Sequence, residues 1–220
     1  PGNPMMDGLG LNPLPKSLRW FRRLILLCGS RMPEAQVNFK RLVIAAQKLN
    51  CQDPLLILVA VGSEPALPQL EDILKDLGFT RSISPIENFG VKGCWNKTGI
   101  MVLIGPGQFD AWASWAEIGL STAGTATEQL VGLGIPVVSF PGRGPQFKRS
   151  FAIRQSRLLG GSAIPCFTEQ QLVEWIHCLL SDQQLRRQLG NIGISRMGMS
   201  GGSHALAGLV LSKLIVDNSS

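Results

Sequence analysis

Between Ser121 and Gln146 the chain reads STAGTATEQLVGLGIPVVSFPGRGPQ. Small residues and hydroxyls crowd its first turn, Ala123-Gly124-Thr125-Ala126-Thr127, and a carboxylate, Glu128, follows inside a helical pattern. A tight turn feeding a helix start leaves backbone N–H groups without partners beside the positive end of the helix dipole, which suits an anion such as a diphosphate. A carboxylate one turn further in can accept from the hydroxyls of a ribose. A glycine-rich loop, Pro141 to Pro145, ends the stretch, with Gln146 just past it. A second loop, Gly29-Ser30-Arg31, follows an apolar run, and Arg31 is placed to grip a phosphate with its two-pronged guanidinium. The plain alternatives are a βα turn with a surface arginine and a helix cap with a solvated glutamate. The first alternative weighs more at Gly29–Arg31 than the second does at Gly124–Glu128, where several unusual features coincide. Neither GxGxxG nor GxxxxGK[ST] occurs, which disfavours an ordinary dinucleotide fold and a P-loop.

These loops need elements to hold them. Leu24–Leu27 and Leu55–Val61 are continuous apolar runs of the buried-strand type, and Ile100–Ile104, Ile118–Ser121, Ile135–Phe140 and Ala163–Pro165 add further strands. Helical patterns alternate with them at Pro33–Leu49, Leu67–Leu77, Phe109–Glu117, Thr125–Leu133, 147–159 and 168–180, and two more close the chain at 182–190 and 203–216. Residues 79–99 are weakly patterned and read as one strand and a loop. Alternation of apolar strands with helices predicts an α/β fold, a Rossmann-like parallel sheet with helices on both faces. Ligands of such sheets sit beyond the strand C-termini. Both glycine-bearing loops follow strands, so both would face one crevice. Residues 1–23, with prolines at 1, 4, 13 and 15, read as an interdomain segment leading into a domain spanning 24–220.

Composition narrows the setting. The 220 residues are 45% hydrophobic and 16% charged, so the chain can bury a sizeable core. A net charge of +6 favours anionic partners, but no basic tract interleaved with aromatics points to nucleic acid. Five widely spaced cysteines without a CxxC pair support neither a zinc site nor a disulfide framework, and they fit a reducing cytosol. No apolar run reaches the roughly 20 residues of a membrane span. Trp112 and Trp115 read as core. Lys16, Arg19, Arg22 and Arg23 with Trp20 and Phe21, and separately Lys148, Arg149, Arg154 and Arg157, form two basic groups. Each is either a solvated face or a contact for an anionic membrane surface. His177 and His204 are read as structural or surface residues, and no catalytic residue can be named.

The stretch GTATEQLVGLGIPVVSFPG resembles the donor-binding helix of GT-B glycosyltransferases, and the chain is similar to the lipid-A-disaccharide synthase family. The peptidoglycan lipid-intermediate N-acetylglucosaminyltransferases are a more distant match. Gly2-Asn3-Pro4-Met5-Met6-Asp7 resembles the segment that leads into the synthases' C-terminal domain. Leu26-Leu27-Cys28-Gly29-Ser30-Arg31 with Glu34 resembles its first strand and loop, where proline usually replaces Cys28. The resemblance implies the C-terminal half of a GT-B fold, with UDP-sugar as substrate and no further cofactor or metal. It implies that Gly29, Ser30 and Arg31 approach the diphosphate, and that Gly124, Thr125, Ala126 and Thr127 offer it N–H groups and hydroxyls. Glu128 would accept from the ribose, and Gln146 would approach the sugar or diphosphate. Hexosyl transfer to a lipid or lipid-linked acceptor follows, at the cytoplasmic face of a membrane. The acceptor site and base would come from an N-terminal domain outside these residues. A UDP-sugar epimerase and a non-catalytic nucleotide-sugar module remain alternatives.

Overall fold

A computed structural model of the chain describes residues 2–49, 51–142 and 148–217. Six parallel strands form the body of one sheet: β1 (Arg22–Leu27), β2 (Leu55–Val59), β5 (Ile100–Ile104), β6 (Ile118–Ser121), β7 (Val137–Ser139) and β8 (Ala163–Pro165). The weakly patterned stretch 79–99 supplies two antiparallel strands, β3 (Thr80–Arg81) and β4 (Gly93–Lys97), instead of one. The spatial order is β3-β4-β5-β2-β1-β6-β7-β8. An edge hairpin has no continuous apolar run to announce it. Only Gly93, Cys94 and Trp95 of β4 are buried, and Asn96 faces solvent.

The central strands are apolar throughout because both faces are covered. Leu24 and Leu26 point to one core with Leu55, Ile57 and Val59, while Ile25 and Leu27 point to the other with Leu56 and Leu58. Helices α1 (Glu34–Gln47), α2 (Leu67–Asp76) and α6 (Glu169–Ser181) cover the first face through Phe39, Leu42, Leu70, Leu74, Leu172 and Ile176. The short α3 (Phe109–Trp112) and α4 (Thr125–Gly132) cover the second through Trp112, Leu130 and Val131, with Trp115 beside them. Trp112 and Trp115 are thus core, as their placement in the chain suggests.

Two readings of the sequence change. Helix α7 (Gln183–Met197) runs past the expected end at 190. Its internal glycines mark close packing against α4 rather than a helix stop: a Cβ on Gly190 would lie 2.3 Å from the Gly134 carbonyl oxygen, and one on Gly193 would lie 2.6 Å from Val131. Residues 2–23 pack into the domain. Met6 and Leu18 are core residues, and β1 begins at Arg22. Asn3 donates its N–H to Met199 and its side-chain amide to Met197, and the Asp7 carboxylate accepts from Gly201 and Ser203 at the start of α8 (Gly202–Asp217).

Arg22 and Arg23 are not part of a surface patch. Both converge with Arg186 on Glu117, at 3.0, 3.7 and 3.3 Å. Lys16, Arg19 and Trp20 remain exposed, as do Lys148, Arg149, Arg154 and Arg157 on and beside α5 (Arg149–Leu158). Among the described residues, no helix is long and apolar enough to cross a membrane.

Candidate functional site

The chain runs outward from β1 to β2, and later returns to lay β6 along β1's other edge. Loops leaving β1 and β6 therefore diverge, and a crevice opens between them at the strand C-termini. Leu27 stands opposite Ser121, and the Thr122 N–H donates to the Leu27 carbonyl at 2.9 Å, which sets the two loops side by side.

Each loop is shaped by its own residues. Gly29 has φ +84°, a left-handed turn that glycine adopts without strain, and it swings Ser30 and Arg31 into the mouth of the crevice. Arg31 is exposed, and among the described residues its guanidinium makes no hydrogen bond or ion pair. In the second loop Ser121 Oγ accepts from the Ala123 N–H at 2.9 Å and lies 2.5 Å from Thr127 Oγ1, which in turn donates to the Ala123 carbonyl at 2.7 Å. This buried hydroxyl pair closes the turn.

Gly124 then caps α4 without a side-chain hydrogen bond. The Thr127 and Glu128 N–H groups bond back to the Gly124 carbonyl, at 3.0 and 3.3 Å. The first N–H groups of α4, those of Thr125 and Ala126, have no intrahelical acceptor and sit at the positive end of its dipole.

A cleft of about 650 Å³ lies between the loops, within the roughly 300–1,000 Å³ usual for small-molecule sites. Gly29, Ser30, Arg31 and Glu34 form one wall, and Thr122 to Ala126 with Gln129 form the other. Ala60, Val61 and Gly62, just past β2, add to the lining, as do Asn38 and Phe151. Burial pushes the Cys28 thiol on this lining up to about 12, so it is neutral.

The structure thus gathers Gly29, Ser30, Arg31, Gly124, Thr125 and Ala126 at one cleft. Thr127 is fully buried and its hydroxyl is spent inside the turn, so it shapes the loop instead of offering a hydroxyl to a ligand. Glu128 is partly exposed and flanks the cleft without lining it. Its Oε1 accepts from Gln155 Nε2 at 3.2 Å, and among the described residues Oε2 makes no hydrogen bond. Gln146 lies outside the described residues. His177 and His204 are exposed and do not line the cleft.

Asn38, Phe151 and Gln155 were not legible as site residues. Their signal was spacing: Asn38 follows Glu34, and Gln155 follows Phe151, by four positions, which puts each pair on one helix face. Among the described residues, no three His, Cys, Asp or Glu side chains are grouped to hold a metal ion.

Comparison with known proteins places the fold in a class. No protein-family model and no curated protein matches the chain. Solved structures do match. Sucrose-phosphate synthase from Thermosynechococcus elongatus aligns with 99% of this chain at 14% identity and a TM-score of 0.58, and 52% of its own length is covered. WaaG, a glycosyltransferase involved in lipopolysaccharide biosynthesis, aligns with 90% at 16% identity and a TM-score of 0.54, and 50% of it is covered. A Listeria monocytogenes protein described as a UDP-N-acetylglucosamine 2-epimerase aligns with 84% at 13% identity and a TM-score of 0.53, and 44% of it is covered. The chain has the Rossmann-like α/β fold seen in GT-B glycosyltransferases, and it spans about half the length of these structures.

Proposed function

We propose that this chain is the donor-binding domain of a glycosyltransferase that takes a hexosyl group from a UDP-sugar. One observation carries the reading. At the switch point of the sheet, the open N–H groups of α4 and the guanidinium of Arg31, unpaired among the described residues, face one cleft, with Glu128 one turn behind. As the bond to the sugar breaks, negative charge builds on the departing diphosphate. Fixed dipoles and a cation aimed at that place stabilise the charge without needing to reorganise. Ser30 and the Thr125 hydroxyl add donors, and Glu128 Oε2 accepts from the ribose hydroxyls. Gln146 is assigned to the sugar or diphosphate.

Acceptor binding and the general base are assigned to a second domain, because the matching structures are about twice as long. A lipid or lipid-linked acceptor at the cytoplasmic face of a membrane is favoured by the exposed Lys148, Arg149, Arg154 and Arg157. The resemblance to lipid-A-disaccharide synthases supports the same choice.

Titration calorimetry with UDP tests the site. Binding that weakens about tenfold in Glu128→Ala, the worth of a hydrogen bond to a charged group, is the expected result. No heat of binding at millimolar UDP overturns the proposal. The fold is also matched by the protein described as an epimerase, so mass spectrometry after incubation with UDP-N-acetylglucosamine separates the two activities. An epimer or a glycal would replace the transferase reading.

A further inference from the structure

We infer that Gln155 is a positioning residue for the donor site: its side-chain amide aims both the anion-binding end of α4 and the Glu128 carboxylate. The inference rests on the proposed donor reading and adds to it a residue that does not line the cleft.

Gln155 lies on α5 and is 3% exposed. Its Nε2 donates to the Gly124 carbonyl at 3.1 Å and to Glu128 Oε1 at 3.2 Å. Both partners are pure acceptors, so the amide cannot be turned over without setting oxygen against oxygen. Both N–H bonds of the amide are committed. Its oxygen is buried with no hydrogen-bond partner among the described residues. A buried acceptor left unmet is destabilising. An apolar side chain of similar length would fill the same space without that cost, so packing alone does not account for an amide here. Its two N–H groups do.

Their partners define the role. Gly124 C=O and Thr125 N–H belong to one trans peptide plane and point in opposite directions. Gln155 adds a side-chain donor to the carbonyl that the Thr127 and Glu128 N–H groups also hold, and so further fixes the direction of the Thr125 N–H on the other side, where Thr125 lines the cleft. The second N–H holds Oε1 of Glu128 and leaves Oε2 to accept from a ligand. The same helix sends Phe151 to the cleft wall, with its ring 3.7 Å from where a Cβ on Gly124 would stand. One face of α5 therefore supports the start of α4 at two points.

Calorimetry on the 220-residue chain with UDP and with 2′,3′-dideoxy-UDP tests the assignment, since the ratio of the two affinities reads the ribose contact. The native chain is expected to prefer UDP by about tenfold or more, and Glu128→Ala to bring the ratio near one. Gln155→Met, which keeps length and loses both donors, is expected to collapse the ratio similarly and to weaken UDP binding a further several-fold. The double variant Gln155→Met with Glu128→Ala should lose no more of the ratio than either single change. If Gln155→Met unfolds, Gln155→Glu replaces it. That variant keeps the volume and sets a carboxylate against Glu128, so it should also abolish the ratio. A native ratio lost in Glu128→Ala but kept in the folded Gln155 variant overturns the inference alone. A native ratio that Glu128→Ala leaves intact overturns the ribose assignment, and the role of Gln155 falls with it.

Discussion

Replacing Glu117 by Gln separates two meanings of the same arginines. In the sequence, Arg22 and Arg23 belong to a basic, aromatic run that suits a surface contact. In the fold, Glu117 Oε1 lies 3.0 Å from Arg22 Nη2 and 3.3 Å from Arg186 Nη2, while Oε2 accepts from Arg22 Nε at 3.2 Å and from the Arg23 N–H at 3.0 Å. The Glu117 side chain is 14% exposed and those of the three arginines 13–23%, so water screens these charges poorly. One such pair at 4 Å attracts by about 4 kcal/mol at an effective dielectric near 20, most of which desolvation offsets. The variant keeps an amide oxygen but leaves three guanidinium groups facing one another without the carboxylate they share. Breaking a buried pair costs about 3–5 kcal/mol, and the retained oxygen places this change near 3 kcal/mol. With a urea slope of about 2 kcal/mol per molar, the unfolding midpoint at pH 7 should fall by about 1.5 M. Acid adds an independent check. Burial by itself raises the Glu117 carboxyl, but the Arg22 hydrogen bond, the Arg23 N–H and the charges of Arg23 and Arg22 outweigh it, and its pKa lies below the ordinary 4.5. A depressed carboxylate contributes stability that is complete above its unfolded pKa and is lost as pH falls through the folded one. The advantage of the native chain over Glu117→Gln should therefore shrink only below about pH 4.5. A midpoint shift under about 0.5 M at pH 7 would refute the structural role. So would Arg23→Ala weakening adsorption to anionic vesicles while leaving stability untouched.

Two further expectations rest on packing and on a cap. Gly190→Ala puts a methyl 2.3 Å from the Gly134 carbonyl oxygen, a backbone atom that no rotamer change can move, so α7 must shift away from the turn that follows α4. The cost is about 1–3 kcal/mol, or roughly 3–10 °C in the thermal midpoint, and an unchanged midpoint contradicts the close approach. The Asp7 carboxylate is lowered to about 2 by the Ser203 hydroxyl and then by the Gly201 and Ser203 N–H groups. Its hold on the start of α8 is complete above the unfolded value of 3.8 and is released as pH falls through about 2, a window that carboxyl carbon NMR reads directly. A midpoint near 4 for Asp7 means the cap does not form in solution.

Local chemistry decided a good part of this protein in advance. Ile100–Ile104, Ile118–Ser121 and Ala163–Pro165 are strands with the boundaries their apolar runs suggest. Gly29, Gly78 and Gly134 turn the chain with positive φ, because a strand or helix must end where its backbone reverses and glycine does so without strain. The apolar character of both faces of β1 and β2 likewise required cover on two sides, and so a layered α/β fold. The hydroxyls, glycines and Arg31 of the cleft were legible for the same reason, since a helix start and its open N–H groups are set by adjacent residues.

Only the tertiary structure decided what depends on partners far along the chain. It placed β6 against the free edge of β1, which made two separate loops into one cleft. It turned Thr127 inward, because Ser121 sits opposite it in the closed turn. It matched Arg22 and Arg23 with Glu117, about 95 residues away, and so converted an apparent surface patch into an interior tie. It set Gln155, 27 residues beyond Glu128, behind the helix whose open end the sequence had displayed. Periodicity shows which face of an element is buried. It does not show what that face meets, because the meeting is settled by the packing of the whole sheet.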